Sequence, residues 1–312
     1  MKNLKKLKGD ASFRQFYRKK NKNFSSIIVS AKKEKLKNLI IYDAINKLLK
    51  KNKILAPSLY KEDYRKGYVE IQDFGNETVF KILNKNRNNK TYYFKKIINT
   101  LNQIQLIKDI KIRNFKKENY IIPKYDTSIL IKEANLFCDW YIKKKLSKKN
   151  REIFTRKFKK IVKNLTLNLQ LKNNVFVHRD FHVSNLMLVG NKIGLIDSQD
   201  ALIGNKAYDL ASLIDDVRLK TSNSFKKKIF SFYLNKQRNL NKHKFKNDFE
   251  ILSVLRNLKI IGIFTRLAQR DNKKKYLKLI PYAWRLIDLR INENELFLDL
   301  KNLLSKNLKR RV

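Results

Sequence analysis

The stretch Val175-Phe-Val-His-Arg-Asp-Phe-His-Val-Ser-Asn185 runs on through Leu186-Met-Leu-Val189, a Gly190-Asn191 turn, and Lys192-Ile-Gly-Leu-Ile-Asp197. Two short apolar runs joined by a two-residue Gly-Asn connection have the length and composition of a tight β-hairpin. Pairing 186–189 with 192–196 brings the outer ends of both strands side by side. Asn185 and Asp197 then meet at one edge, and Asp180, on the loop just before, lies within reach of it. Three oxygen-bearing side chains converge with no long-range assumption. At this level the same residues can also be read as caps at strand ends, because Asp and Asn bond readily to nearby backbone.

A carboxylate, an amide oxygen and a second carboxylate suit the transfer of a phosphoryl group. That reaction needs a base near the attacking hydroxyl and oxygen ligands for a hard cation. The spacing His178-Arg-Asp180, four residues, then Asn185 matches the catalytic loop of protein-kinase-like enzymes. Asp180 is therefore the candidate base, and Asn185 and Asp197 are the candidate Mg²⁺ ligands. His178 reads as a brace for the loop backbone, and Arg179 as a partner for a carboxylate. Asp200 is a further carboxylate available to the metal or the acceptor. ATP is the implied phosphoryl donor.

Upstream, residues 13–17 and 26–30 are short apolar-aromatic runs separated by the polar turn Lys19-Lys-Asn-Lys-Asn23, the pattern of a hairpin. An amphipathic helix follows, with Leu36, Ile40, Ala44 and Leu48 at four-residue steps. Pro57 ends that region, and Gly67-Tyr-Val-Glu-Ile71 reads as a strand stopping at Asp73-Phe-Gly75. From about residue 78 the apolar spacing is helical, except at 175–197. The expected fold is α+β and two-lobed: a small mixed nucleotide-binding lobe over 1–77 and a larger, mainly helical catalytic and substrate-binding lobe over 78–312. In the first lobe, Gly9-Asp-Ala-Ser-Phe-Arg14 is a small-residue turn. Its backbone N–H groups, with Asp10, Ser12 and Arg14, can face phosphates. Lys32 is the nearest lysine to the third strand, but it follows a polar break.

The chain has 312 residues, of which 43% are hydrophobic and 11% aromatic, enough to bury a sizeable core. Its single cysteine, Cys138, rules out an internal disulfide and a cysteine zinc cluster. No apolar run reaches the roughly 18 residues of a membrane helix, and the charged start lacks a signal peptide's apolar stretch. The expected setting is cytoplasmic, without membrane, nucleic acid or an obligate protein partner. The net charge of +46 is spread along the whole chain rather than gathered in an arm, so it reads as solvated surface. Such a field still attracts anions.

With these motifs the chain resembles the aminoglycoside phosphotransferase and choline kinase superfamily. Within it, the chain is similar to the anomeric amino-sugar kinases of cell-wall recycling. The likeness includes Gly9-Asp-Ala-Ser-Phe-Arg14, Asp73-Phe-Gly75, Pro123-Lys-Tyr-Asp-Thr-Ser-Ile-Leu-Ile-Lys-Glu133 and Leu136-Phe-Cys-Asp-Trp-Tyr141. It continues through His178-Arg-Asp180, Ile196-Asp-Ser-Gln-Asp-Ala201, Leu258-Lys-Ile-Ile-Gly-Ile-Phe-Thr-Arg266 and Arg270-Asp271. The resemblance implies ATP- and Mg²⁺-dependent phosphorylation of N-acetylmuramate or N-acetylglucosamine at the anomeric hydroxyl. It also makes Glu133 and Trp140 candidates for the sugar pocket, although their segment can equally pack a helix face into the core. Two departures stand out: no Val-Ala-Ile-Lys strand is recognisable, and Ser198 replaces the aromatic residue of the family's Ile-Asp-Phe-Gln-Asp run. Kinases of amino alcohols or aminoglycosides, a catalytically idle nucleotide-binding module and a nucleic-acid binder remain as competing readings.

Overall fold

A computed structural model describes residues 4–7, 14–20, 24–85, 89–292 and 294–308. By packing, the chain divides into two compact units, residues 1–123 with 175–203 and residues 124–174 with 204–312. The lobes expected from the sequence, 1–77 and 78–312, are drawn by function rather than by packing and differ from this division.

The first unit begins with β1 (Leu4–Leu7), β2 (Gln15–Lys20) and β3 (Ser25–Ser30), then α1 (Lys37–Lys51), β4 (Leu59–Asp63) and β5 (Tyr68–Gln72). These strands form one antiparallel sheet in the order β1-β2-β3-β5-β4. The hairpin expected from the aromatic runs is β2–β3, with Phe16 opposite Val29 and Arg18 opposite Ile27. Val29, Val69 and Ile71 of the sheet pack on Leu39 and Tyr42 of α1. Burying each such aliphatic side chain stabilises by roughly 1.5–3 kcal/mol. Helix α1 is buried on more than its apolar stripe, because Asp43 and Asn46 are also almost inaccessible.

Next come α2 (Val79–Lys85), α3 (Lys90–Gln105) and a short hairpin of β6 (Lys111–Arg113) with β7 (Asn119–Ile121). In the second unit, α4 (Thr127–Leu136) starts at Asp126, whose carboxylate accepts the Ile129 N–H at 3.0 Å. That cap satisfies one of the free donors of the first turn. Helix α4 runs into a π-helical turn at Phe137–Tyr141 and is followed by α5 (Lys148–Leu167) and β8 (Asn173–Val177).

The hairpin read from residues 186–196 is β9 (Leu186–Val189) and β10 (Lys192–Leu195), with Leu186 opposite Leu195. Two backbone hydrogen bonds tie it into the first unit, Leu195 N–H to Leu55 O at 2.8 Å and Leu188 N–H to Glu77 O at 2.9 Å. Gly194 must lack a side chain, because a Cβ there would come within 2.8 Å of the Phe74 ring. The Asp73-Phe-Gly75 segment thus bears directly on the hairpin.

The chain ends with β11 (Leu202–Asn205), α6 (Tyr208–Ile214), α7 (Asn223–Asn235), α8 (Lys242–Arg270), α9 (Ile280–Ile291) and α10 (Leu298–Asn307). Helix α8 is the axis of the second unit. Its Leu258, Ile261 and Phe264 pack with Phe137, Phe158, Trp284 and Ile287 in one core. At Gly262 a Cβ would lie 2.3 Å from the Leu136 carbonyl, so α8 and the end of α4 can approach this closely only over glycine. The architecture is α+β, as the sequence implied. Strands β1, β4, β6 and β7 were not anticipated, since runs such as Leu59-Tyr-Lys-Glu-Asp63 are too polar to show a buried face. Among the described residues no helix is long and apolar enough to cross a membrane.

Candidate active site

The loop between β8 and β9 carries His178, Arg179, Asp180 and Asn185, and β10 leads into Asp197. Asn185 and Asp197 are neighbours in the sense the hairpin required: the Ile196 N–H donates to Asn185 O at 3.1 Å. The Asn185 amide nitrogen donates to Asp180 O at 3.1 Å, and the His182 N–H donates to that same oxygen at 3.0 Å. This arrangement fixes the amide nitrogen against the loop, and Oδ1 accepts no hydrogen bond among the described residues. The Asp180 carboxylate is half-buried and accepts no hydrogen bond among the described residues. All three residues therefore present free or partly exposed oxygen.

Two residues here adopt positive φ, Arg179 at 74° and Asp197 at 66°. Aspartate visits this left-handed region with modest penalty, arginine less readily. Such conformations persist only where the surroundings hold them. Around Arg179, the Nη1 atom lies 3.7 Å from Asp200 Oδ1, and the Gln199 amide donates to Asp200 Oδ2 at 2.8 Å. Asp200 thus faces the loop arginine expected to pair with a carboxylate. His178 is fully buried, edge-on to Phe181. Burial holds its imidazole below the ordinary value, although nearby Asp180 and Asp197 and a hydrogen bond with the Ile196 backbone pull the other way. A neutral, enclosed imidazole is a brace between the loop and the strand leading to Asp197.

On the opposite side Asp197 is met by Arg14, whose guanidinium forms an ion pair with its carboxylate. Only 3% of the Arg14 side chain is exposed, against 34% for Asp197. The guanidinium also lies 5.5 Å from the ring centres of both Phe16 and Tyr42. Asp10 and Ser12, the other members of the expected phosphate turn, lie outside the described residues. Lys32 is exposed beyond the end of β3 and is not brought to Asp197 or Arg14. The missing strand lysine thus has no replacement on β3 itself. A second arginine, Arg18, holds the segment after β5: its Nε and Nη2 donate to Asp73 at 2.5 and 2.9 Å, and Nη2 also to Gly75 O at 2.9 Å.

In the second unit, Glu133 is buried and accepts from the Tyr125 hydroxyl, and Lys259 Nζ stands 2.9 Å from its carboxylate. The Tyr208 hydroxyl is 3.4 Å from the same Lys259 Nζ, and its ring meets Tyr125 edge-on at 4.9 Å. Trp140 is half-buried on the π-helical turn, while its neighbour Phe137 is the one packed into the core. Sequence reasoning singled out neither Lys259 nor the tyrosines as site residues. Nor did it find Tyr42 and Asn46 on α1. The one signal for the last two was a pair of polar-tipped residues four apart on a helix face otherwise filled by Leu, Ile and Ala.

Asn185 Oδ1 and the Asp197 carboxylate are hard oxygen donors of the kind Mg²⁺ takes, so the residues present fit that ion.

Comparison with known proteins identifies the family and the fold. The model of a phosphotransferase enzyme family matches residues 3–244. An N-acetylmuramate/N-acetylglucosamine kinase of Neisseria meningitidis serogroup B is 29% identical over 279 residues, covering 87% of this chain and 80% of that protein. A protein of the same name from Pseudomonas aeruginosa is 26% identical, covering 95% of this chain and 86% of its own length. Among solved structures, a Plasmodium vivax ethanolamine kinase superposes with a TM-score of 0.63 at 12% identity, covering 93% of this chain and 84% of that one. At that identity the likeness speaks for the fold, a kinase fold of the protein-kinase-like kind.

Proposed function

Since the chain belongs to the phosphotransferase enzyme family and is a small-molecule kinase, we propose that it uses ATP and Mg²⁺ to phosphorylate the anomeric hydroxyl of N-acetylmuramate or N-acetylglucosamine. The observation that carries this reading is the convergence of Asp180, Asn185 and Asp197 at one hairpin edge, in a chain similar over most of its length to proteins that bear that substrate name. The reading assigns nucleotide binding to 1–77 and catalysis with acceptor binding to 78–312, in a cytoplasmic, cell-wall-recycling setting.

In this reading Asp180 accepts the proton of the anomeric hydroxyl as that oxygen forms its bond to the γ-phosphorus. The bond from phosphorus to the β–γ bridging oxygen breaks, and the products are the sugar 1-phosphate and ADP. Asn185 and Asp197 would hold Mg²⁺, which neutralises charge on the phosphate oxygens when bound. The free carboxylate of Asp180 supports its part, because a base must not already be committed to a protein donor. Arg14, with Asp10 and Ser12 shortly before it in sequence, is assigned to the phosphates, and Lys32 is retained as a peripheral cation of the same lobe. Glu133, Trp140 and Asp200 are assigned to the acceptor. The Glu133 carboxylate, flanked by Tyr125 and Lys259, is suited to sugar hydroxyls.

ADP release by the purified chain, measured with ATP-Mg²⁺ and a panel of amino sugars and amino alcohols, tests the reading. Turnover confined to the amino sugars supports it. Turnover with ethanolamine or choline instead would favour a kinase of amino alcohols; the Plasmodium vivax structure is named an ethanolamine kinase.

A further inference from the structure

Ser198 directly follows the carboxylate assigned to the metal, at the place where the resemblance leads one to expect an aromatic ring. It is fully buried, and its hydroxyl donates to Asn46 Oδ1 at 2.7 Å. Asn46 is 4% exposed and lies 152 residues away on α1. One turn earlier on that helix is Tyr42, also buried. Residues four apart share a helix face, so Tyr42 and Asn46 present one polar edge to the site. Burial pushes the Tyr42 phenol up to about 12, against the opposing pull of the Asn46 amide and the Arg14 guanidinium. The ring is therefore a neutral wall at neutral pH. Arg14, the ion-pair partner of Asp197, stacks against that same ring.

Asp197 is thus approached from α1 along two routes. One passes through Tyr42 and Arg14 to its carboxylate. The other passes through Asn46 and Ser198 to its backbone. Its left-handed conformation, φ 66° and ψ 38°, needs such support, because the residue behind it is too small to lock the turn by packing. An aromatic ring at 198 would fill the space by volume. A serine can hold the turn only by a directed bond, and a buried hydroxyl left without a partner would be costly.

We propose that the Asn46–Ser198 hydrogen bond is the positioning device that aims the Asp197 carboxylate at its metal ion, with Asn46 and Ser198 as positioning residues. It rests on the assignment of Asp197 as a metal ligand. The bond links α1 to the metal edge without a lysine on β3.

The test is equilibrium binding of a fluorescent ATP analogue to the full chain, titrated with Mg²⁺ and repeated in EDTA. Ser198→Ala and Asn46→Ala each raise the Mg²⁺ midpoint roughly two- to tenfold, the worth of one hydrogen bond, and leave binding in EDTA unchanged. Ser198→Thr, which keeps the hydroxyl, restores the midpoint. The double variant is no worse than either single one, as for two ends of one interaction. Should Ser198→Ala unfold, the near-isosteric Ser198→Cys gives the same reading. Folded variants with unmoved Mg²⁺ midpoints, an equal loss in EDTA, or additive effects overturn the proposal. A wild-type chain whose nucleotide binding ignores Mg²⁺ overturns the assignment of Asp197 itself. That outcome is distinct from an unmoved variant, which overturns only the Asn46–Ser198 role.

Discussion

The Arg14 guanidinium forms an ion pair with the Asp197 carboxylate, joining the start of β2 to the end of the β9–β10 hairpin across 183 residues of sequence. The pair is asymmetric, with a buried cation and a partly exposed anion. Strand β3, Ser25-Ser-Ile-Ile-Val-Ser30, holds no lysine, and among the described residues Arg14 is a cation presented to the Asp197 carboxylate. If Asp197 turns to a metal ion, as proposed, the phosphates of the nucleotide offer the buried guanidinium an anion. A planar, five-donor group meets phosphate in a bidentate way that a lysine does not.

Arg14→Ala is therefore expected to weaken ATP binding by roughly 10- to 100-fold, the scale of a charge-assisted hydrogen-bond pair. Arg14→Lys should recover only part of that loss. Fluorescence titration with an ATP analogue measures both. A variant that loses thermal stability but binds nucleotide normally would limit Arg14 to a structural role.

Asp180→Asn should leave the fold and nucleotide binding in place and lower kcat by roughly 10²–10⁴, the usual effect of losing a general base. The amide keeps the shape but cannot take the proton. Near-normal turnover in this variant would remove Asp180 from the chemistry.

Asp197→Ala should abolish Mg²⁺-dependent turnover, and Asn185→Ala should do less, since a neutral ligand is more readily replaced by water. A Mg²⁺ titration of the rate separates the two: Asn185→Ala shifts the midpoint, and Asp197→Ala leaves no saturable response. An Asp197→Ala chain that turns over at the wild-type rate would contradict the assignment of Asp197 to the metal.

In the second unit, Asp215 is fully buried between Arg290, at 3.0 and 3.1 Å, Lys226 at 3.2 Å and the Ser253 hydroxyl at 2.6 Å. Burial alone would raise its carboxyl, but Arg290 and Lys226, with the Ser253 hydrogen bond, outweigh it and hold the carboxyl below the ordinary 3.8. A carboxyl depressed on folding stabilises above its unfolded value, and that contribution is lost as pH falls through the folded one. Thermal unfolding should thus be insensitive to Asp215 ionisation from pH 7 down to about 5 and lose this contribution below 3.8. Asp215→Ala strands two buried cations and should destabilise by about 3–5 kcal/mol, seen as a lower denaturation midpoint. A midpoint unchanged in Asp215→Ala would mean that the cluster carries no net stability.

Much of this was legible in the sequence because it is local. The hairpin could be read because Gly190-Asn191 separates two apolar runs, and their pairing set Asn185 and Asp197 at one edge; in the structure the Ile196 N–H, one residue before Asp197, donates to Asn185 O. Helix α1 showed itself through four-residue apolar steps. What escaped was set by distant partners. Asn46 looks like any polar helix residue until Ser198 is packed against it, and Ser198 read only as a departure from a pattern. The Glu133–Lys259 pair joins helices more than a hundred residues apart, so no spacing could reveal it. Strand β4 escaped for another reason: an edge strand can be polar on both faces.

The central claim is tested most directly by phosphorus NMR of the product formed from ATP-Mg²⁺ and N-acetylmuramate or N-acetylglucosamine. An anomeric hydroxyl is more acidic than an ordinary alcohol, because the ring oxygen withdraws electron density, and a carboxylate such as Asp180 suffices to guide its proton. The account predicts a sugar 1-phosphate and no turnover with the methyl glycoside, whose anomeric oxygen is blocked. A 6-phosphate, or equal turnover of the methyl glycoside, would contradict it.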